Sequence, residues 1–203
     1  NLKNISREIG IYGIFSIGVG IVIITAGIDL SVGSLMALLG VVFLYFVTPP
    51  ETRPDSFLAK IIPEIGWPIA IIFTLILGTL VGLVQGLLVG KLKLQAFIVT
   101  LCGLLSYRGL ARFSADDTSI NLSNSEQNLS LLRHLGEGSL GDVLTNGNSS
   151  GILHSIPMSF VYLIGFALFF GIILHKSIFG RYIFAAGRNE LATKYSGINT
   201  SIV

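Results

Sequence analysis

The chain predicts an all-α fold, a polytopic transmembrane helical bundle, and three observations carry that prediction. Its mean hydropathy is +0.79. Only 12% of its 203 residues are charged, about half of the roughly 25% found in soluble domains. The apolar residues also come in long runs, and about 20 residues of helix span the ~30 Å of bilayer hydrocarbon. Five runs stand out, Ile9–Ile28, Val32–Val47, Trp67–Val89, Leu94–Leu110 and Pro157–Leu174, the second of them short. Unpaired backbone N–H and C=O groups are not tolerated in lipid, so continuous apolar runs of this length predict helices. A barrel would need short segments of alternating polarity.

The connections differ in kind. Residues 49–66 hold Pro49, Pro50, Pro54 and Pro63 with several charges and read as an ordinary polar loop. Lys91 to Lys93 reads as a tight basic turn, residues 113–156 as a long exposed loop rich in Ser, Asn, Gly and Asp, and residues 175–203 as a polar, basic tail with some helical character. Lys and Arg mark the cytoplasmic ends of spans. Alternate connections give Lys91, Lys93, Lys176, Arg181, Arg188 and Lys194 on one side. Lys3, Arg7, Arg53, Lys60, Arg108, Arg112 and Arg133 fall on the other. The first set is denser and nearly free of acids, which assigns it to the cytoplasm.

Glycine makes up 24 of the 203 residues, well above the ordinary share of about 7%. Gly78, Gly82, Gly86 and Gly90 repeat every four residues along the third span. They form a small-residue stripe on which another helix can pack or slide. Gln85 beside it is a polar group at membrane depth that should face protein or water. Between the first two spans, Asp29 or Ser31 can cap the second helix by accepting from an orphan N–H. The same residues can line or gate a polar pathway.

In the tail, Asn189 is a good N-cap, Glu190 suits the first turn and Gly197 is a good stop. The resulting helix, about two turns long with Leu191 and Tyr195 on one face, is too short to persist undocked.

Several function classes are disfavoured. A net charge of +2 is too small to suggest a nucleic-acid partner. Cys102, the single cysteine, has no Cys or His at metal-ligand spacing and reads as a packing residue. His134, His154 and His175 are far apart, and no phosphate-binding loop, His-Glu-x-x-His or Gly-x-Ser-x-Gly motif occurs. Neither a catalytic residue, a cofactor nor a metal site is therefore expected, and an intramembrane enzyme is disfavoured. An ion-coupled secondary transporter would carry ionisable groups at mid-span, which these runs lack.

Three segments, in order, resemble the permeases of ribose/xylose/galactoside-type ABC importers. The first is Gly27-Ile28-Asp29-Leu30-Ser31-Val32-Gly33-Ser34. The second is Gly82 to Val89 continuing into Gln95 to Leu101 and Tyr107-Arg108-Gly109-Leu110. The third runs from Phe179-Gly180-Arg181-Tyr182 through Ser196-Gly197-Ile198. The resemblance implies a permease of about ten spans, of which this chain would hold five, with a leading span and the C-terminal half expected beyond it. It also implies a second permease copy, a partner ATP-binding subunit, an extracytoplasmic solute-binding protein and the cytoplasmic membrane of a bacterium. Residues 176–203 would be the cytoplasmic coupling region. There Leu191, Ala192 and Tyr195 would meet the ATPase, Gly187 would let the chain turn sharply into the helix, and Arg188 and Lys194 would sit at a polar rim. Residues 113–156 would lie outside. Arg188 stands where the family often has a second Gly and Thr193 where it often has Ala. A related permease for a nucleoside, a signalling furanose or a branched-chain amino acid is the alternative within transport.

Overall fold

The computed structural model describes residues 2–53, 55–118, 130–141 and 155–200. Among these the helices are α1 (Leu2–Ile24), α2 (Val32–Val47), α3 (Phe57–Ile61), α4 (Trp67–Gly90), α5 (Ala96–Ser114), α6 (Ser130–Glu137), α7 (Met158–Lys176), α8 (Ile178–Arg188) and α9 (Glu190–Tyr195), with a 3-10 turn at Pro50–Thr52. Four of them, α1, α4, α5 and α7, are long and apolar enough to cross a membrane. The fifth expected span, α2, is equally apolar but has 16 residues, about 24 Å at 1.5 Å per residue. The chain divides into two compact units, Asn1–Gly27 with Glu126–Val203, and Ile28–Ser125.

In the first unit α1 and α7 run parallel. Gly10 is buried, and a Cβ there would lie 2.5 Å from the Ser159 carbonyl carbon, while one at Gly13 would lie 2.7 Å from Leu163 Cδ1. Ser159 Oγ donates to the Arg7 carbonyl at 3.1 Å. Close approach of this kind, with a hydroxyl serving a backbone oxygen, is how membrane helices pack without a hydrophobic drive. At the same end Arg7 pairs with Glu137 of α6 at 2.9 Å, and Tyr162 donates to the Leu135 carbonyl at 3.2 Å. The first helix starts earlier and stops earlier than the run Ile9–Ile28 implies. Ala26 takes a φ of 59°. Gly27 N–H then bonds back to Val22 O and Ala26 N–H to Ile23 O, the double bond of a Schellman cap. At the far end of α7, Ser177 caps α8 by accepting from Gly180 N–H at 3.0 Å.

In the second unit α2 lies parallel to α5 and antiparallel to α4. Leu38, Val42 and Ala111 form its apolar centre, with Phe46, Leu77 and Tyr107 packed around it. The expectation that residues 49–66 are an ordinary polar loop is overturned. Arg53 is buried, its Nε and Nη2 donate to Thr48 O at 2.8 and 2.6 Å, and its Nη1 donates to Ala59 O and Ile62 O. These carbonyls close α2 and α3, where four helix-end oxygens lack intrahelical partners. Burial pushes the guanidinium pKa down, but it stays charged. Tyr45, fully buried, donates to the Ser114 carbonyl and lies 3.2 Å from Ser56 Oγ.

Within the long loop expected over 113–156, α5 continues through Ser114 and α6 occupies Ser130–Glu137. Residues 119–129 and 142–154, with His154, lie outside the described residues.

The exposed face of α4 is apolar. Along α4 only Ala70 is buried, while Ile69, Ile72, Leu75, Ile76, Leu80 and Leu83 are all more than half exposed. An exposed apolar face of this extent marks a membrane or protein contact.

Candidate functional site

Two constellations carry the sequence-predicted residues. The first is a polar node in the Ile28–Ser125 unit. Asp29 Oδ1 accepts from Ser31 N–H at 2.8 Å and from Ser31 Oγ at 2.7 Å. Gln85 Nε2 donates to Ser31 Oγ at 3.0 Å. A serine hydroxyl has one proton, so the chain of bonds runs from Gln85 through Ser31 to Asp29. Ser31 is completely buried, and a buried hydroxyl is costly unless satisfied. Its hydroxyl does not cap α2. Of the two capping roles open in the sequence, only Asp29 accepts a backbone N–H, and it is that of the cap residue Ser31 rather than one inside the helix.

Gly103 of α5 makes the node possible. A Cβ there would lie 2.6 Å from Gln85 Nε2 and 3.3 Å from Ser31 Cβ. Gly103 is seven residues into α5, roughly 10 Å from its start, so the non-helical link into α2 occupies depth that a longer second helix would have filled. Irregular backbone at such depth needs partners, and Thr100 Oγ1 lies 3.2 Å from the Ile28 carbonyl. Gly103 was not singled out in the sequence. Its signal, a glycine in a span that also holds Thr100 and Tyr107, is weak alone.

The glycine stripe divides. A Cβ at Gly78 would meet Leu39 Cδ1 at 3.0 Å, whereas Gly82 and Gly86 are exposed with no neighbour of their unit within 4 Å. Gly90 is the last residue of α4.

The second constellation is the tail. Asn189 Oδ1 accepts from Ala192 N–H at 3.0 Å and opens α9, and Gly197, at φ +86°, closes it. Ile198 N–H bonds to Thr193 O and Gly197 N–H to Lys194 O, again a Schellman cap. Leu191 and Tyr195 are 67% and 88% exposed. Ala192 is exposed beside them, and Thr193 alone faces inward. The helix before it, α8, is longer than the tail's composition implies, and it corrects the role expected of Gly187. That residue lies inside α8 and is absent from the positive-φ positions, so it makes no turn. A Cβ at Gly187 would collide with the carbonyl oxygen of Ile24, in the last turn of α1.

Helices sheathed in apolar side chains, four of them long enough to cross a membrane, define a polytopic membrane protein. The chain belongs to the family described as branched-chain amino acid transport system / permease component, which matches residues 1–203. It is 34% identical over 201 residues to the ribose import permease protein RbsC of Escherichia coli (strain K12), covering 99% of this chain and 54% of that protein. To the xylose transport system permease protein XylH of the same strain it is 40% identical over 123 residues, 60% of this chain and 28% of that protein. To the inner membrane ABC transporter permease protein YjfF it is 29% identical over 199 residues, 97% of this chain and 51% of that protein. The chain thus spans about half the length of the curated relatives it matches along its whole extent. No solved structure matches it.

Proposed function

We propose that this chain is part of the membrane-spanning permease subunit of an ATP-driven importer that carries a monosaccharide of the ribose type across a bacterial cytoplasmic membrane. The observation that carries the reading is the similarity to a ribose import permease over 99% of the chain. Its partners are an ATP-binding subunit, an extracytoplasmic solute-binding protein and a second permease copy. The tail, 176–203, faces the cytoplasm, and residues 113–156 face outside. The basic residues clustered after α4 and after α7 support this arrangement. Lys91, Lys93, Lys176, Arg181, Arg188 and Lys194 then share the cytoplasmic side.

Within this reading α9 takes up work from the ATPase. A six-residue helix does not hold itself together, and Leu191, Ala192 and Tyr195 present an uncovered face. Asp29, Ser31 and Gln85 fasten the start of α2 and bear on the pathway through the unit that contains them. The second reading concerns the solute, since the family description names branched-chain amino acids. Proteoliposomes holding the full-length permease, its ATPase and its binding protein decide between them. ATP-dependent uptake of ribose, with xylose weaker and leucine absent, is expected. Leucine uptake alone would favour the second reading, and uptake driven by an ion gradient without ATP would contradict both.

A further inference from the structure

Gly187 is the one tail residue singled out in the sequence whose role the geometry changes. It is followed in α8 only by Arg188, and its neighbour is backbone, the Ile24 carbonyl, with Thr25 Cα 3.4 Å from where a Cβ would stand. Backbone cannot swing aside as a long side chain can, so any residue but glycine lifts α8 from α1. The contact is the second of two on one helix. Gly180, which is buried, admits no Cβ against the Leu174 carbonyl of α7. With the buried Ile183 between them, the two glycines seat one face of α8 on the C-terminal turns of α7 and α1. The opposite face leaves Phe179 and Tyr182 exposed. From Ile24, α1 continues through the capped turn at Ala26 into the segment that begins α2 at Ser31.

We infer that Gly187 is a positioning residue that joins the coupling tail to the end of α1, so that a displacement of α9 is delivered to α1 and to the segment leading into α2. The inference rests on the reading of α9 as the ATPase contact. Gly187 itself lies away from that contact, in the joint behind it. A joint transmits displacement only while its two sides move as one body.

The test uses the full transporter in proteoliposomes. Gly187→Ala should leave the ATPase co-purifying at the wild-type level, because α9 and its caps are untouched, while uptake per ATP hydrolysed falls by roughly 2- to 30-fold, the range that coupling mutations produce. Wild-type uptake per ATP would overturn the inference and leave the proposed function standing. Loss of the ATPase would overturn it too, by moving Gly187 into the contact. A second measurement does not depend on that variant folding. In a Cys102→Ser background, Ala26→Cys and Arg188→Cys, both exposed in the native chain, are joined by a short thiol cross-linker. Cross-linked protein should transport as well as the uncross-linked control. Transport blocked by the link and restored by its cleavage would show that α1 and α8 move apart in the cycle, which contradicts the inference. An importer that takes up no solute in its wild-type form would sink the proposed function instead.

Discussion

Along the seam of α1 and α7, Gly10 and Gly13 face a neighbour so near that a Cβ would stand 2.5 to 2.7 Å from its atoms; along α4, Gly82 and Gly86 face nothing within 4 Å. Both pairs sit at spacings that place them on one side of a helix. Gly10 carries the backbone of α7 and Gly13 the Leu163 side chain, with Ser159 Oγ closing the seam on the Arg7 carbonyl. The α4 pair is smooth surface. Spacing therefore permits close approach without showing where it happens. What separates the two cases is a polar group that the partner must satisfy. The α2 interfaces follow the same rule, with Ser31 meeting Gln85 and Tyr45 meeting Ser114.

The largest effect is expected at Gly10. Gly10→Leu drives four carbon atoms into the backbone of α7, beyond the 1–3 kcal/mol typical of overpacking, and should leave little monodisperse protein in size-exclusion chromatography of detergent extracts. Normal yield and elution would mean that α1 and α7 do not meet there. Arg53→Ala comes next. Removing four hydrogen bonds to buried carbonyls from a charged donor should cost roughly 3 kcal/mol, read as a clear drop in unfolding temperature. Lys60→Ala is the control. Asp55 bonds to Lys60 at 2.7 Å, which holds its carboxyl below the ordinary value. Any stability this gives exists above that value and is lost as pH falls through the folded one, but the pair is exposed, so no measurable shift is expected at neutral pH.

Gly103→Ala is milder, because the obstructing atom is the end of the flexible Gln85 side chain. It should cost about 1 kcal/mol through the lost Gln85–Ser31 bond. Made on a Gln85→Ala background it should cost much less, and an undiminished effect there would show that Gly103 does not act through Gln85. Smallest is Gly82→Leu, expected to shift the stability of this chain by less than ~0.5 kcal/mol. If it instead blocks assembly of the full-length protein, another helix covers the stripe, and the contrast with Gly10 is one of partner rather than of use.

Much of this was legible in the sequence for a plain reason: burial in lipid forces long apolar runs into helices, and caps announce themselves through Asn189 and Gly197. Gln85 was legible as well, since an amide at depth requires a partner, though not which one. Arg53 was not, because a cation among prolines looks like any solvated loop until the carbonyls at the ends of α2 and α3 converge on it. Gly187 read as a turn residue because glycine before an N-cap serves two needs that sequence does not separate, positive φ and close approach. The helix α9 was the opposite case, with its length and both caps legible and its exposed Leu191, Ala192 and Tyr195 set on a helix that short.

The exposed face of α9 holds the proposed contact with the ATP-binding subunit. Ala192→Arg keeps the Asn189 cap and places a long charged side chain between Leu191 and Tyr195. The full-length permease carrying it, purified beside the wild type, is assayed for bound ATP-binding subunit and for solute-stimulated ATP hydrolysis. The subunit should be lost and the stimulation with it, while the solute-binding protein still associates. Retention of both at wild-type levels would contradict the claim that α9 receives the energy of transport.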